Sequence, residues 1–182
     1  MSTLEVNTIT PQSGTTLTLG SSGDTISLAG GATASGFGGG KIGQVVSATK
    51  TDTFSTSSTS YVDVTGLSVS ITPSASSSKI LILVNLSLSP SAQAFYNIVR
   101  NSTNIAQPTS SGSNQATGGV FINTPDGFSF MNSSVLDSPN TTSATTYKIQ
   151  MKSTSSNADI NKRYSDTFVT CVSTITAMEV LA

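Results

Sequence analysis

The stretch KILILVNLSLS, residues 79–89, decides the fold. From Ile80 to Val84 every position is apolar, and from Leu86 onward apolar and polar positions alternate. A short run of this kind, rich in β-branched residues and free of Gly and Pro, reads as a strand. Its first half is expected to be buried on both faces and its second half on one. The segment before it, YVDVTGLSVSITP (61–73), gives Val62 and Val64, a Thr-Gly turn, then Leu67, Val69 and Ile71 on one face, ended by Pro73. Downstream, AFYNIVRN (94–101) is a further strand, followed by a Gly, Ser and Gln-rich loop from Gln107 to Gly119. VFIN (120–123), a TPDG turn and FSFMNSSVL (128–136) come next. In TYKIQMKS (146–153), Tyr147, Ile149 and Met151 alternate with Lys148, Gln150 and Lys152, an apolar face opposite a wet one. The last strands are TFVTCVSTI and STITAMEVLA, the latter apolar on both faces. Roughly eight to ten short strands separated by turn signals point to an all-β, antiparallel β-sandwich, with a jelly roll as the expected arrangement.

Composition agrees. Only 9% of the 182 residues are charged, whereas about a third are Ser or Thr, so hydroxyls keep the surface wet. Disordered chains show the reverse, high charge and few β-branched residues. The formal net charge is -1, and the eight Lys and Arg are scattered from Lys41 to Arg163, which leaves no footprint for nucleic acid. No run approaches the roughly 20 apolar residues of a membrane span, so no membrane insertion is expected. MSTLEVNTIT lacks the basic and apolar regions of a signal peptide, an expectation of assembly in a cytoplasm. The single Cys171, set among apolar neighbours, reads as a small buried hydrophobe, and it excludes a disulfide within the chain.

Residues 1–35 are different. LEVNTI, TLTL and DTISL are three very short strands, each with too few apolar residues to bury a core alone. SGFGGGKIG follows, a joint over residues 36–42 with almost no side chains, and the compact domain runs from 43 to 182. Gly38, Gly40 and Gly43 satisfy G-x-G-x-x-G, but no strand precedes them and no helix follows, so a flexible joint explains them better than a phosphate cradle.

No His occurs anywhere, which removes the commonest general base, the Ser-His-Asp arrangement and most zinc sites. Asp126, Asp137, Asp159 and Asp166 could in principle form a glycosidase pair, but Asp126 and Asp137 sit in turn-capping contexts. No local run of acids suits calcium, and the NLS, NST, NSS and NTT tripeptides arise readily in so Ser/Thr-rich a chain. The expectation is therefore no enzyme, no metal and no cofactor. What the residues do allow is recognition. Phe95, Tyr96, Asn97, Arg100, Gln107, Asn114, Gln115, Asp126, Arg163 and Tyr164 lie in or beside candidate loops, where aromatic, amide and guanidinium groups can stack on and hydrogen-bond to sugars or proteins.

LEVNTITPQSGTTLTLGSSGDTISLAGGATASG, GKIGQVVSATKTDTFSTSSTSYVDVTGLSVSITPSASSSKILILVNLSLS, TTSATTYKIQMKS and STITAMEV together resemble tail-fibre-like virion proteins of marine and cyanobacterial bacteriophages. That resemblance implies a homotrimer with a slender N-terminal shaft, anchored to other virion proteins of the tail or capsid. It implies a C-terminal knob similar to the jelly-roll trimers of the tumour-necrosis-factor and complement-C1q class, binding a host surface glycan or protein. A capsid decoration or tail adaptor with a purely structural role would share the layout. In a trimer, Leu4, Val6, Ile9, Leu17, Leu19, Ile26 and Leu28 would meet their copies along a common axis and supply the apolar partner each thin strand lacks. Ile175, Ala177, Met178 and Val180 of the terminal strand would lie near the three-fold centre of the knob.

Overall fold

A computed structural model describes residues 9–11, 41–91, 93–109, 112–121 and 127–181. The chain divides between Gly39 and Gly40, inside the glycine-rich stretch. The strands expected over residues 4–28, with Leu4, Val6, Leu17, Leu19, Ile26 and Leu28, lie outside the described residues, as does Asp126. Ile9 is described and half-exposed.

The described part of the larger unit is built from strands alone: β1 Ile42–Lys50, β2 Phe54–Thr56, β3 Val62–Ile71, β4 Lys79–Pro90, β5 Gln93–Arg100, β6 Thr103–Ile105, β7 Gly118–Phe121, β8 Ser129–Asp137, β9 Thr145–Ser153, β10 Ala158–Ile160 and β11 Ser173–Val180. All pairings among them are antiparallel.

The long β4 organises the first sheet. Its residues 80–85 pair with both β8 and β11, which must therefore flank it on opposite edges. β1 continues the sheet beyond β11, while β10 and β2 extend it beside the far end of β4. The second sheet runs β3-β9-β5, with β6 and β7 sharing the outer edge of β5. The pairs are nested in sequence: β1 with β11, β3 with β9, β4 with β8, and β5 with β6 and β7.

One apolar core joins the sheets, an arrangement compatible with a β-sandwich. Ile80, Ile82, Val84, Leu86, Leu88, Ile175 and Ala177 come from the first sheet, and Leu67, Val69, Ile71, Ala94, Tyr96, Ile98, Tyr147, Ile149 and Met151 from the second. In β9 the alternation read from TYKIQMKS is the alternation observed.

Four sequence expectations change. The Thr-Gly pair is no turn: β3 pairs with β9 on both sides of it through a bulge between Asp63 and Ser68, and Gly66 supplies the left-handed residue at φ 83°. TFVTCVSTI is no strand before Ser173; residues 161–172 form a loop held by a bridge between Lys162 and Thr170. Cys171 is consequently half-buried rather than enclosed in a core. Finally, the apolar run of β4 buries only Ile80, Ile82 and Val84, whereas Leu81 is half-buried and Leu83 is 37% exposed.

Buried polar groups lock the first sheet at its two ends. Asn161, at φ 64° just past β10, donates from Nδ2 to the carbonyls of Lys50 (2.8 Å) and Asp52 (3.0 Å) and accepts from Ser173 Oγ at 2.7 Å. At the other end Glu179 is buried on the core side of β11, where it accepts from the Ser74 amide and hydroxyl at 2.6 Å each and from Gln44 at 3.3 Å. Burial pushes this carboxyl up, but the Ser74 bonds outweigh it and hold it below its ordinary value of 4.5.

Candidate functional site

Two surfaces invite a partner: the outer face of each sheet. On the first sheet, the residues that alternate with the core point outward, and the register lines them up across strands. One row runs Val45, Met178, Leu81, Leu136; the next runs Ser47, Thr176, Leu83, Ser134; a third runs Thr49, Thr174, Asn85, Asn132. Val45 is 52% exposed, Leu136 53% and Phe130, further along β8, 60%; Ile42 and Val172 are also open. Ser47 and Thr176 hydroxyls bond each other at 2.8 Å, so that row is neutral and already satisfied. A depression of about 400 Å³ lies over Leu83, rimmed by Asn85, Asn132, Ser134, Thr174 and Thr176.

In the three rows and their surroundings Lys79, at the start of β4, is the nearest cation in the strands, and the far end of the face carries the Asp159–Lys162 pair. It is bounded by β8, which among the described strands pairs only with β4 and leaves its other edge open. An exposed, nine-residue edge strand carrying Phe130 and Leu136 is the kind of edge a monomer normally blunts with charge or proline.

The second sheet finishes its outer face differently. Lys148 pairs with Asp63 at 2.7 Å, and Gln150 donates to the other oxygen of the same carboxylate at 2.7 Å. These bonds hold Asp63 below the usual carboxylate range. Asn97 Oδ1 accepts from the Thr117 amide and Gln107 Nε2 at 3.2 Å each, which ties the loop after β6 onto the sheet. The Phe95 ring lies over Gly119, where an added Cβ would come within 2.6 Å of it. On the core side Tyr96 covers Gly118 in the same way, 2.6 Å from the position of a Cβ. Glycine on β7 is thus required by its aromatic cross-strand neighbours.

Lys152, opposite Phe95 in the register, extends its ammonium 4.9 Å from the Tyr61 ring centre and 5.7 Å from that of Phe95, and donates to Asn114 Oδ1 at 2.9 Å. Tyr61 donates its hydroxyl to the carbonyl of Gln115 at 2.7 Å. Beside this cluster is a depression of about 290 Å³ lined by Gln93, Phe95, Gly119 and Val120.

The ten recognition candidates therefore separate. Phe95, Asn114 and Gln115 come together around Lys152. Tyr96 is a core residue whose hydroxyl meets Ser133 at 2.7 Å, and Asn97 is fully buried; neither offers a surface, because each lies under its neighbours. Gln107 braces a loop. Arg100 is spent on Asp137, 2.9 Å from both carboxylate oxygens, and Tyr147 donates to that carboxylate at 2.6 Å. Burial and the adjoining carboxylate push the Tyr147 phenol far above its ordinary value. Arg163 pairs with Asp166 at 2.6 Å and stacks 5.1 Å from the exposed Phe168 ring, on the loop after β10, away from the Phe95 strand in sequence and sheet; the amide of Tyr164 beside it donates to Ser89. Tyr61, Lys152 and Gln93 were missed. The signal for Lys152 was present, since it faces Phe95 only if β5 and β9 are neighbours, but sequence alone does not pair strands.

Of the four terminal-strand residues, Ile175 and Ala177 are wholly inside the chain's own core and have no surface to offer a copy, because they share the core face of β11 with Ser173 and Glu179. Met178 and Val180 point outward into the apolar row. Of the four candidate acids the three described are engaged: Asp159 is buried against Ser55 and 3.2 Å from Lys162, Asp137 holds Arg100, and Asp166 holds Arg163. Among the described residues, no cluster of three or more His, Cys, Asp or Glu side chains could hold a metal ion, and no helix is long and apolar enough to cross a membrane. No protein-family model matches the chain, and no curated protein matches it.

Proposed function

We propose that the chain is a virion fibre or spike protein that assembles as a homotrimer through the outer face of its first sheet and engages a host surface with the remaining faces of its C-terminal unit. The observation that carries this reading is the uncharged apolar row Val45, Met178, Leu81 and Leu136 beside the open edge of β8. Such a contiguous patch is costly in a monomer. Near a three-fold axis identical side chains converge, so like charges there repel and a face without charges suits self-association. The nested pairing of β1 with β11, β3 with β9, β4 with β8 and β5 with β6/β7 is that of one long hairpin rolled over on itself, which supports a jelly roll for the knob. The sequence resemblance supplies the virion, the trimer and the N-terminal anchorage.

Attachment by such a spike works through avidity, since three weak sites per assembly lengthen residence without a strong single contact. Light scattering on the full chain is the first test: a mass three times 18.5 kDa is expected, and a stable particle of 18.5 kDa would remove the reading. Antibody labelling of intact particles then tests position, with exposed label expected for a host-binding spike and none for a buried adaptor.

A further inference from the structure

We propose that the outer face of the second sheet carries a binding site for an anionic saccharide, centred on Lys152 and Phe95. The inference rests on reading the chain as a host-surface binder and names the ligand class. Most cations in the described structure are matched to carboxylates: Lys50 to Asp52, Arg100 to Asp137, Lys148 to Asp63, Lys162 to Asp159 and Arg163 to Asp166. Lys152 is not. It is half-buried, held between two aromatic rings instead of beside an acid, and its one hydrogen bond to Asn114 leaves two ammonium protons for a ligand.

The adjoining depression has the remaining elements of a sugar site. Phe95, seated over Gly119, supplies its aromatic wall. The side-chain amide of Gln93 lines it and that of Asn114 stands against Lys152, neither with a partner for its N–H groups among the described residues. An apolar ring to stack on, amide donors for hydroxyls and one unmatched cation suit a sugar bearing a carboxylate or sulfate better than a neutral sugar, which leaves the cation unused. The site lies on the sheet not used for assembly, so it stays open in the proposed trimer and is presented three times.

Titration of the full-length protein with an oligogalacturonate, a sulfated galactan oligosaccharide and a neutral galactan oligosaccharide of equal length, followed by calorimetry or amide chemical shifts, tests it. One or both anionic ligands are expected to bind and the neutral one to bind far more weakly. Lys152→Gln should weaken the anionic complex by about tenfold or more, the worth of one charge-assisted hydrogen bond. Lys148→Gln, which removes a cation already satisfied by Asp63, should leave it unchanged. Equal binding of neutral and anionic oligosaccharides, or a Lys152→Gln protein that folds and binds as before, overturns the site. If Lys152→Gln still competes virions off host cells as well as the parent protein, the site is wrong and the host-binding reading survives; if the parent protein neither binds nor competes, both fall.

Discussion

The outer faces of the two sheets are made from the same hydroxyl-rich vocabulary and end in opposite states. On the second sheet, Lys148, Gln150 and Asp63 satisfy one another, Asn97 anchors a loop, and Phe95 lies over Gly119. On the first, Val45, Leu83 and Leu136 stand open beside half-buried Met178 and Leu81, with no charge between them. Apart from the Lys152 cluster, one face is finished within the chain and the other is not. The difference teaches that exposed apolar area must be judged by its arrangement: scattered leucines mean little, but a row in register across four strands, ending at an open edge, calls for a partner.

The sharpest way to break this contrast is Leu83→Glu. If three copies meet on that face, each buried and unpaired carboxylate costs about 3–5 kcal/mol, and the assembly should fall to single chains with unchanged far-ultraviolet circular dichroism. A trimer that persists by light scattering would show that the face is not the interface.

Asp137→Ala attacks the bond between the sheets, since Asp137 belongs to the first and its partners Arg100 and Tyr147 to the second. Leaving a guanidinium and a buried phenol without their acceptor should cost about 2–4 kcal/mol in urea unfolding. A loss as small as that of a surface pair would mean the sheets do not rely on it.

Gly118→Ala tests the close packing of the second sheet, because the new Cβ would meet the rigid, buried Tyr96 ring. About 1–3 kcal/mol of destabilisation is expected from thermal unfolding. Full stability would mean that β7 moves away at little cost.

Acid should act on the first sheet through Glu179. Its carboxyl is held below 4.5 in the folded chain, so the stability it contributes is present above that value and is lost as pH falls through the folded-state value. Urea midpoints should decline on acidification, and Glu179→Gln should flatten that decline. The smallest effect belongs to Lys148→Gln on the second sheet, under about 1 kcal/mol for a pair open to solvent. A larger loss would show that this face is more than a solvated ladder.

Much of this could be read from the residues. TYKIQMKS declares its two faces by strict alternation, and the structure keeps them. KILILVNLSLS declares a strand, and its doubly apolar first half leads one to expect a second covered face; in the single chain that face is bare at Leu83, the observation on which the proposed assembly rests. TFVTCVSTI misled because β-branched composition favours a strand locally, whereas residues 161–172 have no neighbour to pair with beyond one bridge. Tyr96 and Asn97 looked like loop recognition residues because nothing in AFYNIVRN says which neighbours will cover it.

The sequence by itself determined that the chain is all-β, where its strong strands lie and which side chains share a face, because alternation and β-branching act over a few residues. Only the tertiary structure decided which strands are neighbours. That choice set Lys152 against Phe95 and Tyr61, buried Glu179 under Ser74, turned Ile175 and Ala177 inward, and aligned Val45, Met178, Leu81 and Leu136. Pairing is fixed by burial summed over the whole core, a quantity that no local stretch of sequence contains.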